Sequence, residues 1–157
     1  MKQHITIRAG KQKDVEAALE LINELAEYER SPDEVEVSVN EMIENGFGPH
    51  PLYYFFVLEK ECKVIGLALY YFKYSTWKGK CLFLEDIIIT ANERRNGYGK
   101  LLFNEVVKVA RELKVRRMEW QVLNWNTPAI KFYEKYHSNF DGEWINCKLS
   151  YQQLQSE

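Results

Sequence analysis

The sequence predicts an α+β fold in one domain of residues 1–157, with a mixed, mostly antiparallel sheet of about six to seven strands flanked by about four helices. Three observations carry that expectation. Three apolar stretches, residues 52–59, 63–74 and 80–90, follow one another across breaks that fit hairpins. The apolar period then turns helical from Gly99 onward. Another strand pattern, another helix pattern and a strand-like end follow, which is not the regular alternation of an all-parallel sheet.

The elements can be justified in order. "HITIR" (residues 4–8) alternates and is short, and Gly10 marks the turn after it. Asp14 stands where it can cap a helix on which Val15, Ala18, Ile22 and Leu25 recur at helical spacing. Ser38 to Glu41, "SVNE", has the capping-box pattern and opens a second, short helix that should end at Asn45-Gly46. The three long stretches are strands, joined at residues 60–63 and at "STWKG". Leu102, Val106, Val109 and Leu113 form one stripe of the third helix, and "RMEWQVL" (117–123) returns to a strand. Thr127 and Pro128 read as cap and first residue of a fourth helix carrying Ile130, Phe132, Tyr133 and Tyr136. "FDGEW" and "INCKLSY" are expected to close the sheet as strands.

Composition narrows the function classes. A hydrophobic fraction of 46% with 28% charged residues is that of a soluble globular protein. A net charge of −2 lacks the basic footprint of a nucleic-acid binder and suits a cationic partner better. Cys62, Cys81 and Cys147 form no CxxC pair and have no histidine at ligand spacing, so neither a disulfide framework nor a metal site is expected. Reduced thiols, no apolar signal core in "MKQHITIRAGKQKD" and no run of membrane-spanning length together predict a cytoplasmic protein with no membrane partner.

The stretch "ERRNGYGK" (93–100) places Gly97 and Gly99 where a strand gives way to a helix, with Arg94, Arg95 and Lys100 around them. Glycine lets a phosphate reach backbone N–H groups, and a helix N-terminus adds unpaired donors and partial positive charge. A P-loop would need Ser or Thr after the lysine, but Leu101 stands there. A dinucleotide fingerprint would need a third glycine and a parallel sheet, and neither is present. R-x-x-G-x-G is satisfied by Arg94, Gly97 and Gly99; the plain alternative is a simple turn. Upstream, Glu85 lies between Leu84 and Asp86 in an apolar strand, where Phe83 and Ile87 are expected to raise its pKa, as suits a general base. Strand alternation predicts that Glu85 and Asp86 point to opposite faces.

R-x-x-G-x-G in this position resembles the coenzyme A pyrophosphate loop of the GNAT superfamily of N-acetyltransferases. "LAEYE", "GFGPHPLYY", "YYFKYSTWKGK", "LEDIII" and "WNTPAIKFYEK", spread from Leu25 to Lys135, resemble its diamine (spermidine/spermine) and thialysine acetyltransferase branch. The resemblance implies a GNAT-like domain using acetyl-CoA and no metal. It implies that Ile87, Ile88 and Ile89 pair through their backbone with the pantetheine arm. Arg94, Arg95, Asn96, Gly97, Tyr98, Gly99 and Lys100 would hold the pyrophosphate, and Asn126, Thr127, Pro128 and Ala129 would touch the cofactor near the fourth helix. An alkyl amine is protonated at neutral pH, and freeing it three units below a pKa near 10.4 costs about 4 kcal/mol. A base must therefore stand near the amine and an acid near the sulfur. The resemblance places the base at Glu85 and the acid at Tyr133, whose plain alternatives are a salt-bridged strand residue and a core tyrosine.

Carboxylates beside aromatic rings in "EYERSPDEVEVS" suit an alkylammonium ion. The resemblance puts the acceptor against Tyr28, Glu29, Trp77, Glu119, Trp120 and Gln121, in a homodimer. Polyamine acetylators of this branch tend to carry an acid where Ser75 stands, and the segment after Tyr133 is shortened. Both departures favour a smaller amine, such as a thialysine-like amino acid or a short diamine. A protein lysine or N-terminal acetyltransferase and a non-catalytic acyl-CoA-binding regulator are the alternatives.

Overall fold

In the computed structural model, which describes residues 4–156, the three long apolar stretches form the middle of a five-stranded sheet. The first three residues of the N-terminal stretch lie outside the described residues. The chain divides into two compact units, Met1–Gln121 and Val122–Glu157.

In the first unit, β1 (Ile5–Ala9), β2 (Tyr54–Lys60), β3 (Lys63–Ser75) and β4 (Gly79–Ile89) run antiparallel to their neighbours, and β5 (Met118–Glu119) lies parallel to β4. The helices of this unit are α1 (Val15–Tyr28), α2 (Val39–Phe47) and α3 (Tyr98–Glu112). Alternation along the strands separates two faces. Val57, Leu67, Leu69 and Ile88 form a core with Val15, Ala18 and Leu21 of α1 and Met42 of α2. On the opposite face α3 packs against β2, β3 and β4, with Leu102, Phe103 and Val106 wholly buried. Gly66 permits the close approach. A Cβ there would lie 2.6 Å from the Ile89 Cδ1 and 3.0 Å from a Leu102 methyl.

Several sequence expectations shift on contact with neighbouring groups. Asp14 makes no side-chain cap on α1. Its buried carboxylate instead accepts from the Lys11 N–H at 2.8 Å and pairs with Arg8 at 2.6 Å, and Arg8 also reaches Glu59 of β2 at 2.8 Å. Ser38 does accept the Glu41 N–H at 3.1 Å, but α2 runs past Asn45-Gly46 to Phe47. The strand expected over residues 117–123 pairs with β4 only at Met118 and Glu119.

The second unit contains α4 (Thr127–Glu134) and the single-turn helix α5 (Tyr151–Gln155). The cap of α4 is Asn126, whose side chain accepts the Ala129 N–H at 3.3 Å; Thr127 is already helical. The closing strands expected at "FDGEW" and "INCKLSY" are absent, so the sheet has five strands among the described residues rather than six to seven. Alternation supplies one apolar face but no partner, and a strand needs another strand to take its N–H and C=O groups. Trp144 and Ile145 are accordingly 74% and 87% exposed.

Candidate active site

The glycine loop follows β4 through a short turn at Ala91–Glu93. That turn is tied down twice. Lys60 of β2 binds both Glu93 carboxylate oxygens at 2.8 Å, and Glu24 of α1 accepts from the Thr90 hydroxyl at 2.9 Å and the Ala91 N–H at 2.7 Å. Beyond it, Asn96 donates to the Glu93 carbonyl, and Arg95 and Gly97 both take left-handed conformations at φ 66° and 79°. Gly97 is the N-cap of α3 and brings no side chain to the N–H groups of Tyr98, Gly99 and Lys100. A Cβ added at Gly97 or Gly99 would meet nothing of the chain within 4 Å. Open space over unfilled helix-end donors fits a pyrophosphate.

Ile87, Ile88 and Ile89 pair with Ala68, Leu67 and Gly66 on the β3 side. On its other edge β4 pairs with β5 only at Leu82 and Phe83. Beyond Phe83, toward the glycine loop, that edge carries no strand among the described residues. A backbone edge left open beside a phosphate-fitting loop can pair with an extended amide-bearing ligand such as a pantetheine arm. Arg94 turns inward instead of toward the loop: its Nε donates to the Ile89 carbonyl at 2.8 Å, Glu24 lies 3.5 Å from Nη2, and the Tyr28 ring sits 5.0 Å from Cζ.

Glu85 and Asp86 correct a sequence expectation. The β3–β4 register pairs Leu69 with Asp86 and Tyr70 with Leu84, so Glu85 is the extra residue of a β-bulge. Leu69 and Tyr71 lie two apart on β3 and share a face; Asp86 stands opposite the first and Phe83 opposite the second, and Glu85 follows Phe83 by two, near enough to Tyr71 for its charge to act on the phenol. The two carboxylates therefore reach the same face, not opposite ones. Burial, then the charge of Glu85, then that of Glu29 push the Asp86 carboxyl up to about 7. Burial also raises Glu29 at the end of α1, and the Tyr71 phenol rises through burial and the Glu85 charge. Asp86 and Tyr71 thus join the site unforeseen. Asp86 was legible only as a second carboxylate in an apolar run, and the bulge that turns Glu85 toward it has no local sequence signal.

The remaining acceptor candidates are distributed. Tyr28 and Glu29 stand at the end of α1, and the electrostatic coupling of Glu29 to Asp86 brings it into the carboxylate cluster. Glu119 pairs across from Phe83 and is engaged by Lys73 at 3.2 Å and Arg117 at 3.4 Å. Trp120 packs edge-on against Phe103, with centroids 5.3 Å apart, and Gln121 follows it, exposed. Trp77 is 77% exposed in the β3–β4 turn. The six steps from Gly79 to Glu85 span about 20 Å of strand, so one chain does not bring Trp77 to the carboxylates. In the second unit Asn126 caps α4, with Thr127, Pro128 and Ala129 as its first turn. Tyr133 is buried on that helix, its ring 5.3 Å from Phe132.

Comparison with known proteins follows from this geometry. The profile of the Acetyltransferase (GNAT) family matches residues 15–138. The thialysine N-epsilon-acetyltransferase of Bos taurus is 37% identical over 139 residues, 83% of this chain and 81% of its own. The L-ornithine N5-acetyltransferase NATA1 of Arabidopsis thaliana is 39% identical over 94 residues, 59% of this chain and 41% of its own. In fold the chain is similar to the aminoglycoside N-acetyltransferase AAC(6')-Iy solved with CoA, at a TM-score of 0.75 and 17% identity, covering 95% of this chain and 97% of that one.

Proposed function

The chain belongs to the acetyltransferase (GNAT) family, and we propose that it transfers acetyl from acetyl-CoA to a primary amine of a small cationic substrate, by direct attack in a ternary complex. The acceptor class is a thialysine-, lysine- or ornithine-like amino acid or a short diamine. The observation that carries this reading is the approach of Glu29, from the end of α1, to Glu85 and Asp86 of β4, beside that strand's open edge. Three carboxylates with Tyr71 make a site for an alkylammonium ion. The relatives named for thialysine and ornithine support an amino-acid acceptor.

Acetyl-CoA supplies an activated acyl group and a thiolate leaving group. The protein's own residues hold the reactants and move protons. Donors at Tyr98, Gly99 and Lys100 take the pyrophosphate, Arg95 and Asn96 shape the loop below it, and the Ile87–Ile89 edge orients the arm. Asn126 to Ala129 add contacts from the start of α4. Glu29 draws the ammonium in. Glu85, with Asp86 beside it holding its own proton up to about pH 7, accepts the proton that the amine must lose before it can attack. Tyr133 donates a proton to the departing sulfur and regains one from the acetylated nitrogen. The catalytic domain in this reading comprises residues 1–157, and the protein works as a cytoplasmic homodimer.

Thiol release from acetyl-CoA tests the reading, with thialysine, lysine, ornithine, short diamines, spermidine and a histone-type peptide as acceptors. Turnover of one or more small amines is expected. Turnover of the peptide alone would replace the reading with protein acetylation; binding without turnover would replace it with a regulatory role.

A further inference from the structure

The contacts of Glu24 run between two parts of the site that the mechanism treats separately. Its carboxylate accepts from the Thr90 hydroxyl at 2.9 Å and the Ala91 N–H at 2.7 Å, and lies 3.5 Å from Arg94. Three donors from the start of the glycine loop thus converge on one side chain of α1. One helical turn further along the same face stands Tyr28, and its ring lies 5.0 Å from the Arg94 guanidinium carbon. Arg94 meanwhile donates to the Ile89 carbonyl at 2.8 Å. Backbone groups alternate between edges along a strand, and the Thr90 N–H is given to Ile65 on β3. The Ile89 carbonyl therefore faces the open edge, where Arg94 closes the last step before the loop.

We propose that Glu24 is a positioning residue: with Arg94 it locks the glycine loop to the end of α1 that carries Tyr28 and Glu29, so that coenzyme binding and amine binding are coupled. The first residue of R-x-x-G-x-G then acts on the coenzyme through the loop's shape instead of through a phosphate contact. Coupling is built into this arrangement because α1 and the loop share one guanidinium. A shift of Tyr28 on amine binding moves Arg94, and an ordered loop holds Arg94 under Tyr28. The inference rests on the assignment of the loop to coenzyme A and of Tyr28 and Glu29 to the amine.

Glu24→Gln in the full-length protein is the test. A carboxamide has one acceptor oxygen and loses the charge facing Arg94. Amide hydrogen exchange of the ligand-free variant should accelerate across residues 90–97. By titration calorimetry its CoA affinity should fall about tenfold, and the KM for the amine should rise comparably with kcat held within a few-fold. Arg94→Gln should do the same, and the double variant should be clearly less than additive, because both break the shared Glu24–Arg94 link. A merely structural role would lower thermal stability and leave exchange in the loop and both affinities of the folded protein unchanged. That outcome overturns the proposal, as does additivity of the two substitutions. If Glu24→Gln does not fold, Tyr28→Leu takes its place: CoA binding must weaken although Tyr28 reaches the loop through Arg94, and unchanged CoA affinity overturns the proposal. A wild-type protein that binds CoA but acetylates no amine refutes the amine assignment while the exchange and CoA measurements still judge Glu24. A wild-type protein that binds no CoA overturns the proposal together with the reading beneath it.

Discussion

At Asp86 the protein holds a carboxyl whose pKa of about 7 lies well above the ordinary 3.8, through burial and the charges of Glu85 and Glu29. Between those two values the folded protein keeps a proton that the unfolded chain has released. Stability therefore falls as pH rises through that window and levels off above about 7. Asp86→Asn removes this dependence, so its melting temperature should match the wild type near pH 4 and exceed it increasingly up to about pH 7. Equal pH dependence of thermal unfolding in the two proteins would reject the burial-driven shift. The same variant should lose the rise of kcat/KM with pH that tracks deprotonation of Asp86 near pH 7. Tyr133 gives a separate prediction. Tyr133→Phe removes only a hydroxyl, so kcat should drop by about 10²-fold or more while CoA affinity stays within a few-fold. Full turnover in that variant would remove Tyr133 from proton transfer.

Among the elements, the start of α3 carries the strongest constraint. Gly97 sits at φ 79°, where a side chain is strained by about 1–2 kcal/mol, and any Cβ would enter the open space beside the N–H groups that start α3. Gly97→Val should fold with slightly lower stability and bind CoA far more weakly; a calorimetric affinity equal to the wild type would reject this placement of the phosphate. The elements also show how far local patterns reach. β2, β3, β4 and α3 were legible because apolar periodicity is set by residues a few positions apart. The caps were legible to within one position: Asn126 replaces Thr127, since whichever side chain reaches the third N–H wins, and that depends on the backbone angle of the entering chain. Asp14 left its expected cap because the Arg8 guanidinium on β1 offers a charged partner. The bulge at Glu85 was not legible, because it arises from the fit of β4 to β3 and not from β4 alone.

For the molecule as a whole, a net charge of −2 hides a local cluster of carboxyl groups at Glu29, Glu85 and Asp86. Attraction of a cationic acceptor to that face should weaken as salt shortens the Debye length below about 10 Å. The KM for the amine should therefore rise several-fold between low and high ionic strength in kinetic assays with a non-binding salt, and a flat response would argue against an electrostatic acceptor site. Assembly is the other whole-molecule expectation. Phe140, Trp144, Ile145 and Leu149 place apolar side chains in water in a single chain, and a homodimer would give them cover. Light scattering should report about twice 18.7 kDa, and a monomer at micromolar concentration would refute the dimer. The order of elements, the loop that fits a phosphate and the acidic-aromatic stretch at residues 27–36 were all readable from residue types and spacing, because each depends on neighbours in the chain. Folding added what depends on distant neighbours. It set Asp86 beside Glu85 through a bulge against β3, bound Arg94 to Glu24 across 70 residues, and formed no strand at residues 140–150. Charge, hydrogen bonding and strand pairing act through space, so their outcome at these positions belongs to the tertiary structure.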